Sequence, residues 1–580
     1  MNQKLLEPLK YYEDEGRATH EKNVNEYFDR LVASSGINAE ENRATAKKYY
    51  DENAIASKLD KKVKSLKAWR IFLIILSVIG VILLAVSFTQ FSISAGRGTI
   101  LLLIGIGLTV GSLLLIFLRL NKRIKGLAEE LSAHKAAAQR LLNEAWGQMA
   151  PLNGLFDERD TLTLMETTLP EIDFESTFTK EQEELFKKHY DFIDLESQEC
   201  SMTAALSGKF EGNPFLFCQC YMHEMKNVTY TGSLVISWTE TYRDSNGKTR
   251  TRRRTQTLTA SVVKPKPFYH YNNYLAYGSQ AAPKLTFSRA PQVKSNMDGK
   301  DIEKKVKKGE KQLKKKAQKA LAKGGTFQEM FNSEFDVLFG ATNRTDEVEF
   351  RLMYTPLAQK NVVDLVTSKT GFGDDFYFTK HKRFNIITSN HSQNWNMATP
   401  PSNYYSFDID VARQKFISFN MGFFKSVFFD FAPLFCVPAY LEEPCKSLET
   451  PEAFMSNYPY YEHEAVANAF DKSRFMPDFS IGDGILKTEL VEKGEGSDTV
   501  AVTANSYTTM EHIDYIPTLG GDGRMHGVPV HWTEYIPVTR TTNISVQGTG
   551  MSRKEFDKRK SEEQSLAECV LLHGLIGKIL

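Results

Sequence analysis

Two stretches of the chain are apolar from end to end, and the rest is organised around them. Ile71 to Phe91 and Thr99 to Leu118 contain no charged residue. Each matches the ~20 residues that carry a helix across ~30 Å of hydrocarbon. The first run begins only at residue 71, which excludes a cleaved signal peptide. Lys61, Lys62, Lys64, Lys67 and Arg70 precede it, and Arg119, Lys122, Arg123 and Lys125 follow the second run. The connecting loop holds only Arg97. This asymmetry predicts a multi-pass hairpin with both flanks, and hence both termini, in the cytoplasm. Neither run carries a charge, whereas a transport path usually needs polar groups at membrane depth. An anchor is therefore the expected role, with an oligomeric pore as the alternative. Gly107 and Gly111 form a Gly-x-x-x-Gly that lets helices approach closely, within this hairpin first, or between two copies.

Outside the runs the pattern is helical, then stranded, then mixed. Val24, Phe28 and Leu31 share a helical face in "VNEYFDRLV", and a second helix from about Ala39 is expected to continue into the first apolar run. Beyond the second run, Leu120, Ile124, Leu127, Leu131, His134, Ala138, Leu141 and Ala145 follow a heptad seam. The simplest product is an antiparallel helical stalk made by both flanks, and a parallel coiled coil between subunits is its rival. His134 reads as a packing or register residue. Pro151 and Gly154 close this region. "VTYTGSLVISWTETYR" and "TRTRRRTQTLTASVVK" then flank Asn246-Gly247, the strongest short hairpin signal. Further strands are expected in "EVEFRLMY", "DFYFTK", "RFNIITS", "YYSFDID", "TVAVTA" and "TTNISVQ". The fold class is α+β with largely antiparallel sheet. The expected domains are N-terminal helices (1–70), the apolar hairpin (71–118), the stalk (119–150), an α+β domain (151–445) and an α+β extension (446–580).

Charge matters only locally. Lys plus Arg is 72 and Asp plus Glu 71, so net charge selects no partner. Within 300–323, however, eleven lysines face only Asp301, Glu303 and Glu310. Ile302, Val306, Leu313, Ala317 and Leu321 are candidates for one apolar face there. The segment reads either as a solvated insert or as a surface for anionic lipid headgroups, with Lys314, Lys315 and Lys316 as the test residues. The apolar segment 415–441 contains Lys425, Asp430 and Pro433, which favours a buried core element over a membrane-dipping one. Six cysteines without a Cys-x-x-Cys pair read as reduced thiols. Cys218 and Cys220 are expected side by side on one strand face as small buried hydrophobes.

The stretch from Phe331 to Pro356, with Phe335, Val337, Asp346, Val348, Glu349, Arg351 and Thr355, resembles the signature of an uncharacterised family of bacterial membrane proteins. That family's pattern has Ala where Phe350 stands and Leu where Tyr354 stands. The resemblance implies a bacterial source, an inner-membrane location, two transmembrane helices near the N-terminus and a cytoplasmic α+β region. It implies no activity. Read physically, alternation places Val348, Phe350, Leu352 and Tyr354 on one face of a strand, and Thr355-Pro356 opens a helix as N-cap and first turn.

Catalytic signatures are incomplete. "GKT" at Gly247 lacks the earlier glycine of a phosphate-binding loop, and His223-Glu224 and His463-Glu464 lack a second histidine four residues on. Asp408 and Asp410 read as the polar face of a strand. "TRTRRRTQ" reads as a charge-protected edge more readily than as a nucleic-acid grip. The stretch from Asp514 to Pro537, "DYIPTLGGDGRMHGVPVHWTEYIP", predicts a hairpin turning near Gly521-Asp522, with Tyr515 opposite Val528, Ile513 opposite Val530 and His512 opposite His531. Two functions follow. One is a membrane-anchored binding or scaffold protein for an unknown protein partner, with no cofactor. The other is a membrane-tethered hydrolase holding a divalent metal on His512, His531 and His526 with nearby acids.

Overall fold

The computed structural model describes residues 3–91, 95–175, 177–193, 197–243, 245, 247–393, 399–442, 458–482, 484–494 and 496–580. In chain order the elements begin with α1 (Pro8–Tyr11), α2 (Arg17–Ser35), α3 (Ala39–Phe91), α4 (Ala95–Leu114), a π-helical turn (Leu115–Leu120), α5 (Asn121–Asn153), α6 (Asp160–Thr168), β1 (Ile172–Phe174) and α7 (Lys180–Tyr190). Then come β2 (Cys200–Phe210), β3 (Asn213–Arg243), β4 (Thr249–Gly278), β5 (Thr286–Arg289), α8 (Gly299–Ala322), α9 (Ser333–Phe339), α10 (Glu347–Met353) and α11 (Pro356–Thr367). β6 (Phe376–His381), β7 (Phe384–Ser389), α12 (Ile409–Phe435), α13 (Ala439–Glu442) and α14 (Tyr460–Ala469) follow. β8 (Ile485–Lys493), β9 (Ser497–Leu519), β10 (Met525–Gly548), α15 (Arg553–Glu562), β11 (Val570–Leu572) and β12 (Leu575–Ile579) complete the chain. The chain is thus a mixture of helix and antiparallel sheet. It divides into two compact units, one of residues 26–156 with 401–418, the other of 1–25, 157–400 and 419–580. The expected boundary at 445/446 lies outside the described residues.

The first unit is helical. Two of its helical stretches are long and apolar enough to cross a membrane, and only 11% and 17% of their most apolar windows are buried in the chain. They meet through Gly80 and Gly105: a Cβ at Gly80 would lie 2.5 Å from Thr109 Oγ1, and one at Gly105 would lie 3.0 Å from the Gly80 carbonyl. Gly107 and Gly111 meet nothing within 4 Å, which corrects their assignment to the contact inside this hairpin. The polar parts of α3 and α5 run antiparallel. Asn42 donates to Gln148 at 3.3 Å, His134 Nδ1 lies 2.6 Å from Glu52, and Leu131 and Leu127 pack on Ala56, Leu59 and Val63. Ile124, Leu131, Ala138 and Ala145, one heptad apart, are buried, whereas Leu127, His134 and Leu141 of the same seam are half-buried. Asp408 and Asp410 do not lie on a strand. The Asp408 carboxylate accepts from the Asp410 and Val411 amides at the start of α12, and Asp410 pairs with Arg43 at 3.0 Å.

The second unit holds two sheets. The seven-stranded sheet has the order β1-β2-β3-β4-β7-β6-β5, and the five-stranded sheet β11-β12-β10-β9-β8. One face of the larger sheet packs on a Phe-rich layer in which Phe423, Phe424, Phe428, Phe431 and Phe435 of α12 are 0–1% exposed, so the 415–441 segment is core. Cys218 and Cys220 lie buried together on the other face. Helix α14 ties the sheets. Glu464 accepts from the Met202 amide at 2.7 Å and forms an ion pair with Lys487 Nζ at 2.5 Å, and His463 lies 3.1 Å from Asp498.

The "EVEFRLMY" stretch is helix, not strand. Asp346 accepts from the Glu349 amide at 2.9 Å as N-cap, and Phe350, Met353 and Tyr354 are buried while Val348 and Leu352 are 68% and 71% exposed. A cap and an i, i+3, i+4 burial stripe win over alternation. Thr355 and Pro356 open α11 as expected, with Thr355 accepting from the Ala358 amide.

Candidate functional site

Strands β3 and β4 pair with each other from Phe215↔Tyr277 to Arg243↔Thr249, far beyond their outer neighbours. Pairing with β2 ends at Met222, and pairing with β7 begins only at Tyr274. The same holds for β9 and β10, which run on past β8 at Asn505 and past β12 at Ile544. Each hairpin is therefore a two-stranded arm, and a lone two-stranded ribbon is marginal in water. The arms solve this by packing on each other. Leu234, Ile236, Trp238, Leu258 and Ala260 of the first arm meet Val528 of the second. Gly232 lets the Pro529 carbonyl approach closely, Lys264 pairs with Asp514 at 3.2 Å and lies 3.8 Å over the Trp532 ring, and Gln256 accepts from the Gly521 amide at 2.7 Å.

Alternation then fixes what points away. On the first arm Thr229, Thr231, Ser233 and Val235 stand opposite Val263, Ser261, Thr259 and Thr257, all exposed. On the second arm the outward face is apolar. Ile513, Tyr515, Leu519 and Met525 are 47%, 68%, 63% and 61% exposed, with Pro517 and Pro529 between them.

The register of this second arm corrects the expected one by a single residue. His512 stands opposite Trp532, Ile513 opposite His531, and Ile516 opposite Val528, because the loop is five residues, Gly520 to Arg524, and not a two-residue turn. A one-residue slip moves a side chain to the other face. His512 therefore lies on the inward side, stacked on Trp532 at 4.6 Å and 2.7 Å from Glu534, while His531 is exposed on the outward side. His526 bonds to Asp522 at 3.0 Å. The structure does not bring the three histidines together, and no group of three metal-ligand side chains occurs among the described residues.

The lysines take two roles. Lys314 and Lys315 are exposed on α8, whereas Lys316 donates to the Thr342 carbonyl at 2.6 Å and lies 4.9 Å over the Phe327 ring. The segment is an ordered amphipathic helix. Ile302, Val306, Leu313 and Ala317 pack inward as expected, but Leu321 is 80% exposed.

A cavity absent from the sequence reading lies in the same unit, with a few charged groups in a mostly apolar lining. Two lobes of about 230 and 310 Å³ share Glu158, Leu206, Thr399, Arg553, Leu571 and His573. Burial pushes the Glu158 carboxyl up to about 6, against the pull of Arg553 at 3.2 Å and of the His573 amide. Burial likewise pushes the His573 imidazole down to about 4, and its Nδ1 is buried without a partner among the described residues. A carboxyl poised near neutrality can exchange a proton with a polar ligand. Ser552, the nearby hydroxyl, is spent capping α15. Glu158 and Arg553 are 395 residues apart and stand in no motif, so spacing offered no signal. No family model, curated protein or solved structure matches the chain.

Proposed function

We propose that this protein is a membrane-anchored binding or scaffold protein whose paired β arms dock a protein partner. The observation that supports this reading is the apolar outward face of the second arm. Three large side chains exposed by more than 60%, with Ile513 at 47% beside them, on one narrow ribbon are the mark of an interaction surface, not of a resting monomer. The two apolar helices supply the anchor, in the inner membrane of a bacterium, with both termini in the cytoplasm and the antiparallel α3/α5 pair as a stalk. Gly107 and Gly111, open on α4, suit association with a second copy.

The test compares the full chain with a Tyr515→Ser/Leu519→Ser variant in gently solubilised membranes. The wild type should retain a stoichiometric partner that the variant loses, while the unfolding midpoint stays within about 2 °C, as for exposed sites. Equal capture by both overturns the arm assignment. The hydrolase alternative rests on a divalent metal held by His512, His531 and His526, and metal content measured on the same sample tests it. For topology, cysteine placed at Ser94, outside the described residues, should react with an impermeant thiol reagent in intact cells. Cysteine placed at Ser561 should react only after lysis, and the reverse pattern overturns the orientation.

A further inference from the structure

Helix α8 turns Lys305, Lys308, Gln312 and Lys316 to one side, at the spacing of a single helical face. That side roofs a cleft of about 540 Å³ above α9 and the Gly340–Thr342 turn. Gly309 sets the approach, since a Cβ there would lie 2.5 Å from Val337 Cγ1. Asp336, the one carboxylate on the wall, is 1% exposed and already accepts from Arg344 Nη1 at 2.6 Å and from the Met330 amide at 2.9 Å. Its charge is spent. Lys316 is held at the wall by the Thr342 carbonyl, and burial with the nearby Arg344 pulls its pKa down. Lys305 and Lys308 have no hydrogen-bond or ion-pair partner among the described residues. Three lysines thus line a space whose one carboxylate is already engaged by Arg344.

We propose that this cleft binds a phosphate-bearing anion of two or more negative charges, a phosphomonoester or a diphosphate. Lysines act as adaptable point charges toward phosphate oxygens, without the fixed fork that an arginine brings to a carboxylate. The cleft is roomier than a single phosphate, so the group arrives on a carrier, either soluble or at the head of a lipid. Only the lipid-borne form rests on the membrane reading above.

The experiment uses the full chain in detergent micelles and in vesicles. Calorimetry with inorganic diphosphate should show saturable binding that weakens at least tenfold in a Lys305→Gln/Lys308→Gln variant, which leaves the Lys316 to Thr342 bond intact. A Lys307→Gln/Lys311→Gln variant removes the same charge from the opposite face of α8 and should stay within twofold of wild type. Equal loss in both variants, or no saturable binding, overturns the cleft while leaving diffuse attraction to anionic membranes standing. Vesicles containing phosphatidic acid, a phosphomonoester lipid, are then compared with vesicles of equal charge in phosphatidylglycerol. Preference for phosphatidic acid that follows the Lys305 and Lys308 pair assigns the lipid source. Diphosphate binding without that preference assigns a soluble ligand.

Discussion

Replacing Gly232 with alanine should loosen the packing of one arm on the other. The new Cβ would lie 1.9 Å from the Pro529 oxygen, 2.8 Å from its carbonyl carbon and 3.0 Å from Val530 Cα. All three atoms are backbone, so no side-chain rotation relieves the clash. Overpacking costs about 1–3 kcal/mol when the surroundings yield slightly. Full separation would expose Ile236, Leu258 and Val528, now 8%, 3% and 0% exposed. At roughly 1.5–3 kcal/mol for each buried aliphatic side chain, that forfeits about 5–9 kcal/mol. The cheaper route wins, so the arms should shift locally at a cost of about 3 kcal/mol. Hydrogen–deuterium exchange should then accelerate about a hundredfold in arm peptides, since each 1.4 kcal/mol is tenfold. Peptides from α12 should be unchanged. Thr231→Ala, on the outward face, is the control and should leave both regions as in wild type. Unaltered arm exchange in a folded Gly232→Ala protein would refute the packing of one arm on the other.

Two further outcomes follow from buried and exposed titrating groups. Burial pushes the Glu462 carboxyl from 4.5 up to about 8, against the pull of the Phe178 amide. Protonation therefore favours the folded state: the contribution is complete below about pH 4.5 and falls away as pH rises toward 8, at up to about 1.4 kcal/mol per pH unit. In urea titrations across that window Glu462→Gln should show a flatter pH dependence than wild type, and identical slopes would contradict the assignment. Replacing His512 and His531 together with Gln should leave the melting temperature and the bound-metal content as in wild type. Stoichiometric zinc or manganese lost in that double variant would restore the metal reading.

What was legible in the chain was whatever its local chemistry decides. The Asn246-Gly247 pair announced the first arm, and Gly247 adopts φ +74°, the positive φ that glycine supplies in a hairpin loop. Ile124, Leu131, Ala138 and Ala145 of the seam are buried, as helical period selects, while Leu127, His134 and Leu141 are half-buried. Misreadings arose where two periods competed. "DEVEFRLMY" alternates well enough for a strand, yet its Asp-x-x-Glu start is a capping pattern, and the cap decides. His512 and His531 were misplaced because a register depends on loop length, and three glycines between Leu519 and Met525 allow more than one turn. The cavity at Glu158 and the cleft beneath α8 were invisible for another reason. They join residues that tertiary packing, not spacing, brings together.

Helix α3 runs 53 residues from Ala39 to Phe91 without a break. At 1.5 Å per residue that is a rod about 80 Å long. Its polar and apolar portions share one axis and turn as a single shaft. The returning path is different, for the π-helical turn at Leu115–Leu120 lies where the apolar run gives way to Arg119 and Lys122. A π-helical turn is a local irregularity in the helical ladder, of the kind at which long helices change direction. The two legs thus differ in build: α3 keeps one helical ladder from Ala39 to Phe91, whereas the path into α5 passes through a π-helical turn.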